Sequence, residues 1–425
     1  MSASVSPSNR SDRPTNKISA TYQKLLKSLI TRLTEGPVVR GRLAQIEEAE
    51  VLRLANECAT LFMKEPACLD LDLHEPLYIV GDLFGQHSNL VQIFAKLGPP
   101  PQKRYLFLGN YVDRGDRAIE LVSLLFAYKV LYPDRIFMLR GNHECMYVSL
   151  HYGFSFECRQ RQFLKTWIAF MNTFDCLPAV AIVENSVFCT HSGIIHDIPY
   201  SFVSSVSHLK EFFKVWIPRP TQLTNNKIWT ELTWSEPQID SRFWQLNPAG
   251  QGYLFPEEAV VKFCERFGLQ QVIRSHDLIK RGYEFAASSK LLTLFSMPQT
   301  ARQCRNMGAL VQLHKRSLDE VIYGRIFTLK LIPLLRRSRT GMMALSIDDL
   351  FVRGSDEQLD KSGESFVDEQ VGENSMQHDS QDEIMDSNLV AFDLQSIGLD
   401  YEERVSLGSL GNIGIRVNAE TRKDF

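Results

Sequence analysis

The stretch YLFLGNYVDRG, residues 105–115, joins an apolar run to a loop of Gly, Asn, Asp and Arg. The run has the length and composition of a buried strand. The loop gathers polar side chains beside glycines that permit tight turns. The same arrangement recurs along the chain. Leu77–Val80 runs into GDLFGQH (81–87), Ile136–Leu139 into RGNHE (140–144), Val187–Thr190 into HSG (191–193) and Gln271–Arg274 into SHD (275–277). Turn chemistry alone explains any one such loop. Five in one chain point to a shared site beyond the ends of several strands, where ligands sit in α/β sheets.

Helical patterns separate these runs, notably over Ala118–Leu131 and Phe163–Phe174. Two more precede them, one beginning near Tyr22 and one over Ala44–Met63, each with apolar residues at three- and four-residue steps. Strand patterns continue through Tyr283–Phe295, Ala309–His314 and Val321–Leu331. The alternation predicts an α/β or mixed α/β sandwich. Asp82, Asn110, Asp113, Asn142, His143, His191 and His276 each follow a strand-like run. Oxygen and imidazole donors brought from separate strand ends suit a divalent transition metal such as Mn, Fe or Zn.

Composition narrows the setting. At 425 residues, with 44% hydrophobic and 23% charged side chains, the chain suits one large domain with extensions, or two domains. It has no apolar run of about 18 residues, so no membrane span or membrane partner is expected. The polar start MSASVSPSNRSDRPTNK lacks the apolar core of a secretory signal. Eight cysteines without a CxxC pair read as reduced thiols of an intracellular protein, cytoplasmic and/or nuclear. Residues 336–425 hold 9 Lys+Arg against 19 Asp+Glu, a net −10, which leaves +7 on the rest of a chain whose total is −3. A solvated face explains that positive balance, and nucleic acid is not expected as a partner. Three regions are expected: a disordered N-terminus over 1–19, a folded domain over 20–335, and an acidic, largely disordered tail over 336–425 in which only Leu389–Leu399 has apolar content suited to docking.

The motifs GDLFG (81–85), GNYVDRG (109–115) and GNHE (141–144), with LRGNHEC, VFCTHSG, TWSEP (233–237), CERF and GYEFA around them, resemble the phosphoprotein phosphatase family of serine/threonine phosphatases, nearest to its type-1 catalytic subunits. The similarity runs from about Tyr22 to Leu331. It implies the metallophosphoesterase (calcineurin-like) fold, a central β-sandwich flanked by helices. It also implies hydrolysis of phosphoserine and phosphothreonine esters by two metals, which clamp the phosphate and activate a shared water. A histidine then protonates the leaving oxygen. The implied partners are regulatory or scaffold proteins docked through short linear motifs, and phosphorylated proteins as substrates or ligands. Arg404–Leu407 (RVSL) is a short, weak match to such a motif.

Carried over by position, the resemblance makes Asp82, Asn110, Asn142, His191 and His276 the metal-site residues. Asp113 and His143 become the proton-donating dyad, and Arg114 a phosphate ligand. Four positions depart from the family pattern. Phe84 stands where the family has a metal-binding His, and Asn110 where it has the bridging Asp. Ala249 aligns with a second phosphate arginine and Thr300 with a tyrosine. Phe84 offers no lone pair, and a neutral amide at Asn110 cannot offset two cations as a bridging carboxylate does. Two divalent ions at the usual separation of roughly 3.5–4 Å would keep Asp82 as their only direct carboxylate. At most one firmly bound divalent metal, Mn or Fe/Zn, is therefore expected. The protein is expected to be inactive or weakly active and to act by binding, with an active metal-dependent phosphatase as the alternative.

Overall fold

A computed structural model describes residues 18–35, 43–115, 117–238, 240–300, 305–315 and 321–330, and the backbone of 353–358. The strands in chain order are Cys68–Leu71 (β1), Leu77–Val80 (β2), Arg104–Phe107 (β3), Ile136–Met138 (β4), Val180–Val183 (β5), Val187–Thr190 (β6), Glu236–Gln238 (β7), Gln245–Leu246 (β8), Tyr253–Pro256 (β9), Gln271–Arg274 (β10), Tyr283–Ala286 (β11), Leu291–Leu294 (β12), Gly308–Lys315 (β13), Ile322–Leu329 (β14) and Arg353–Gln358 (β15). One six-stranded sheet has the order β1-β5-β6-β10-β12-β11 and the other β15-β14-β13-β2-β3-β4. A small third sheet has the order β7-β9-β8.

The inner faces of the two large sheets meet in one apolar layer. Leu77, Ile79, Leu106 and Leu139 from one sheet pack with Ala181, Cys189, Ile273 and Leu292 from the other. Period-2 alternation sends the intervening residues outward. Tyr78, Val80, Tyr105 and Phe107 pack beneath helices Ala20–Thr34, Glu48–Lys64, Ala118–Leu131 and Leu164–Phe174. Val180, Ile182, Phe188 and Val272 pack beneath helices Val206–Trp216, Lys227–Trp234 and Glu257–Phe267. The result is the expected β-sandwich between helical layers.

The helix Ala118–Leu131 is buried on all sides through Val130, so its two charges need partners inside the protein. Arg161 donates through Nη1 to both oxygens of Glu120, at 2.8 Å each. Lys129 donates to the carbonyls of Pro133 (3.0 Å) and Ile136 (2.8 Å) and pairs with Glu65. The helix expected from Ala44 starts at Glu48, because Glu47 and Glu50 form a reciprocal capping box there. The strand patterns over Tyr283–Phe295 form two antiparallel strands around a turn in which Ala287, Ser288 and Ser289 all have positive φ.

Strands β2, β3 and β4 are parallel, with β2 paired to β3 and β3 to β4. Their carboxyl ends therefore open on one side, and the motif loops leave from there. The parallel pair β6 and β10 brings the ends carrying His191 and His276 side by side. Residues 1–17 and most of the segment expected as tail, including Leu389–Leu399 and Arg404–Leu407, lie outside the described residues. Within that segment, the backbone of β15 pairs antiparallel with β14, matching Arg325 to Asp356 and Tyr323 to Gln358.

Candidate functional site

Each proposed site residue sits one to seven positions beyond a strand end, and the loops bring all eight together. Asn110, Arg114, Asn142, His143 and His276 line a cleft of about 300 Å³, together with Phe84, Tyr152, Trp234, Glu236, Asp277, Leu278, Phe295 and Thr300. Asp82, Asp113 and His191 are buried behind them. Ala249 occupies an exposed turn, where its N–H donates to Asn247 Oδ1 (3.0 Å), and it is not among the lining residues.

Glu144 fixes the loops, although the sequence reading gave it no role. Its buried carboxylate accepts from the backbone N–H groups of Asn110 (2.7 Å), Tyr111 (2.8 Å) and Gly141 (2.9 Å). Burial pushes this carboxyl up to about 7, against the lowering effect of those three donors. Two glycines let the loops approach. A Cβ on Gly141 would lie 2.4 Å from Asn110 Oδ1, and one on Gly109 would lie 2.5 Å from the nitrogen of Gly141.

The dyad is formed. His143 Nδ1 donates to Asp113 Oδ2 (2.7 Å), and Asp113 Oδ1 accepts the N–H of Phe154 (2.8 Å). The carboxylate is thus fixed from behind, and Nδ1 is committed to it, which leaves Nε2 as the second ring nitrogen. Burial lowers the His143 pKa, and Asp113 opposes that shift.

The metal-site residues divide into two sets. In the first, Asn110 Oδ1 accepts the His143 N–H (3.0 Å), which turns the amide nitrogen toward Asp82. Asn110 Nδ2 donates to Asp82 Oδ2 at 2.8 Å. Asp82 Oδ1 accepts the backbone N–H of His276 (3.3 Å). The Phe84 ring is buried at 3% exposure against Phe295 and Met297, and lies edge-on to His143 with centroids 4.9 Å apart. A hydrogen-bond donor thus occupies the only carboxylate of this set, and Phe84 contributes a hydrocarbon ring in place of a ligand atom. The set does not fit a cation.

The second set does fit one. His191 Nδ1 donates to the Leu108 carbonyl (2.9 Å), so Nε2 carries the lone pair. His276 Nε2 donates to Glu236 Oε1 (3.1 Å), so its Nδ1 is the acceptor. These two lone pairs face each other at 3.3 Å, and Asn142 Oδ1 lies 3.1 Å from His191 Nε2. Two ring nitrogens and an amide oxygen that converge in this way form a donor set suited to a divalent cation. Burial and the neighbouring His276 hold His191 well below the usual imidazole range. His191 is therefore neutral, and its 3.9 Å approach to Asp82 is not an ion pair. Glu236, His276 and Asp277 also bring ligand atoms within 4.8 Å of one another at the mouth. Glu236 lies in the TWSEP motif, but no spacing rule marks it as a site residue.

Residues 75–280 match the family model described as calcineurin-like phosphoesterase. Among solved structures, one titled as a protein serine/threonine phosphatase from Saccharomyces cerevisiae with similarity to human phosphatase PP5 has a TM-score of 0.64 at 26% identity. That match covers 72% of this chain and 96% of the yeast chain. A cold-active protein-tyrosine phosphatase of a psychrophilic Shewanella has a TM-score of 0.42 at 12% identity, over 63% of this chain and 81% of that one. This chain has the fold of the calcineurin-like metallophosphoesterases, a domain type that implies dependence on divalent metal. The yeast serine/threonine phosphatase is similar to this chain in fold over most of its own length. No helix among the described residues is long and apolar enough to cross a membrane.

Proposed function

We propose that this protein is a phosphoprotein phosphatase family member whose dimetal centre has degenerated, that it hydrolyses phosphoesters weakly or not at all, and that it acts by binding protein partners or phosphorylated proteins. The observation that carries this reading is the Asn110 Nδ2 donor 2.8 Å from Asp82. An N–H stands where two metals would need a shared anion, and Phe84 fills the adjoining space. A bound divalent ion, held by Asn142, His191 and His276, would supply positive charge to a phosphate. Arg114 would bind the phosphate, and His143, oriented by Asp113 through Nδ1, would present Nε2 to it, protonated there only in the charged form that burial disfavours. Regulatory or scaffold proteins belong to the same reading as partners. An intracellular setting does too, supported by seven described cysteines that are buried and unpaired.

One observation favours the second reading, an active metal-dependent phosphatase that uses a single ion: the Asp113–His143 contact at 2.7 Å is intact. The deciding experiment loads the purified protein with manganese, then measures metal content and the rate of phosphoserine peptide hydrolysis. At most one ion and a negligible rate are expected. A rate typical of phosphatases, about 1 per second or more, would overturn the binding role.

A further inference from the structure

Phe84 holds a backbone conformation that bulky side chains avoid, with φ of +44°. Two backbone hydrogen bonds keep it there: Phe84 N–H to the Asn110 carbonyl (2.9 Å) and Gly85 N–H to the Tyr111 carbonyl (2.8 Å). A strained, buried aromatic residue in a cleft that aligns charged groups invites a functional explanation. The Arg114 guanidinium lies over its ring, with Cζ 4.9 Å from the centroid. The Tyr152 ring lies 5.8 Å from the same Cζ and 5.3 Å from the His143 ring. Two rings thus lie within cation–π distance of one exposed arginine, and both also touch the histidine of the dyad.

A guanidinium whose faces meet aromatic rings keeps its in-plane N–H groups for a ligand. It also loses less freedom when it binds, which is where preorganisation raises affinity. We propose that Phe84, as a positioning residue, takes over the aligning role of the lost first metal. It holds Arg114 and His143 as a receptor for a phosphomonoester dianion on a serine or threonine side chain, with no metal required. This rests on the reading that the chain binds phosphorylated proteins, and deepens it by naming the recognised group and the means.

The test is calorimetric titration of the full-length protein with a phosphoserine peptide, in EDTA and in manganese, with the unphosphorylated peptide as control. The phosphopeptide should bind in EDTA, with manganese adding to the affinity, and the control should bind in neither buffer. Phe84→Leu keeps an apolar side chain of similar bulk but removes the ring, and should weaken binding about fivefold or more. Phe84→Tyr should retain it. Arg114→Lys, at an exposed position, keeps the charge without the planar face and should lose a similar factor, which covers the case in which Phe84→Leu fails to fold. Binding abolished by EDTA, or unchanged in Phe84→Leu or Arg114→Lys, would overturn the proposal. Rapid hydrolysis of the peptide in manganese would instead defeat the underlying reading, while the EDTA titrations would still judge the role of Phe84.

Discussion

Asn110 presents its amide nitrogen, not its oxygen, to Asp82, because His143 holds the oxygen from behind. The pair is a neutral donor matched to a carboxylate, and it is stable without a cation. Asn110→Asp would set two buried carboxylates within about 3 Å of each other, and both cannot stay ionised without a metal between them. In chelator this variant should lose roughly 1–3 kcal/mol of stability, read as a lowered melting temperature. Manganese should recover much of the loss. Combined with Phe84→His, it should raise hydrolysis of a small phosphate ester well above the parent rate. If the double variant folds, takes up metal and gains nothing, the ligands at these two positions are not what limits catalysis.

The convergence of His191, His276 and Asn142 predicts a metal stoichiometry. After loading with manganese and dialysis, elemental analysis should give no more than one equivalent per chain. His191→Ala should reduce that sharply, since it removes a lone pair fixed by the Leu108 carbonyl. Two equivalents in the parent would mean that the Asp82–Asn110 contact opens to admit an ion.

Gly141→Ala tests how closely the loops pack. The added methyl would lie 2.5 Å from the backbone nitrogen of Asn110, and neither backbone can retreat while Glu144 holds both. A loss of roughly 2–4 kcal/mol is expected in urea unfolding. A near-neutral variant would show that these loops yield.

The strands and the site loops were legible because a few local rules act on them strongly. A buried strand running into a Gly-rich polar loop leaves a clear mark, and Leu77–Val80, Val187–Thr190 and Gln271–Arg274 have the expected bounds. What stayed hidden depends on geometry. Nothing in the sequence says which way the Asn110 amide turns, since that is set by the N–H of His143. Glu144 has no visible partner in the sequence, because its three donors are backbone groups. Glu236 and Tyr152 enter the cleft only through the packing of distant elements.

His87 predicts a pH dependence. It opens the helix His87–Leu97 and is buried, with no hydrogen-bond partner for Nε2 among the described residues. Burial, helped by Arg117, lowers its pKa from 6.5 to about 3. The folded protein therefore excludes a proton that the unfolded chain takes up below 6.5. Stability contributed by the neutral ring is present above 6.5 and is lost as the pH falls toward 3. At pH 5 the loss from this group should be about 2 kcal/mol. His87→Leu should flatten this slope in urea titrations at pH 5, 6 and 8. An unchanged slope would place the titration elsewhere.

Glu144 ties the 109–115 and 140–144 loops together through three peptide N–H groups, and no metal takes part in that joint. The two loops are thus joined by the chain's own groups. Side chains that line such a cleft can change without unfolding its walls. The chemistry of this protein is separable from its architecture at one carboxylate.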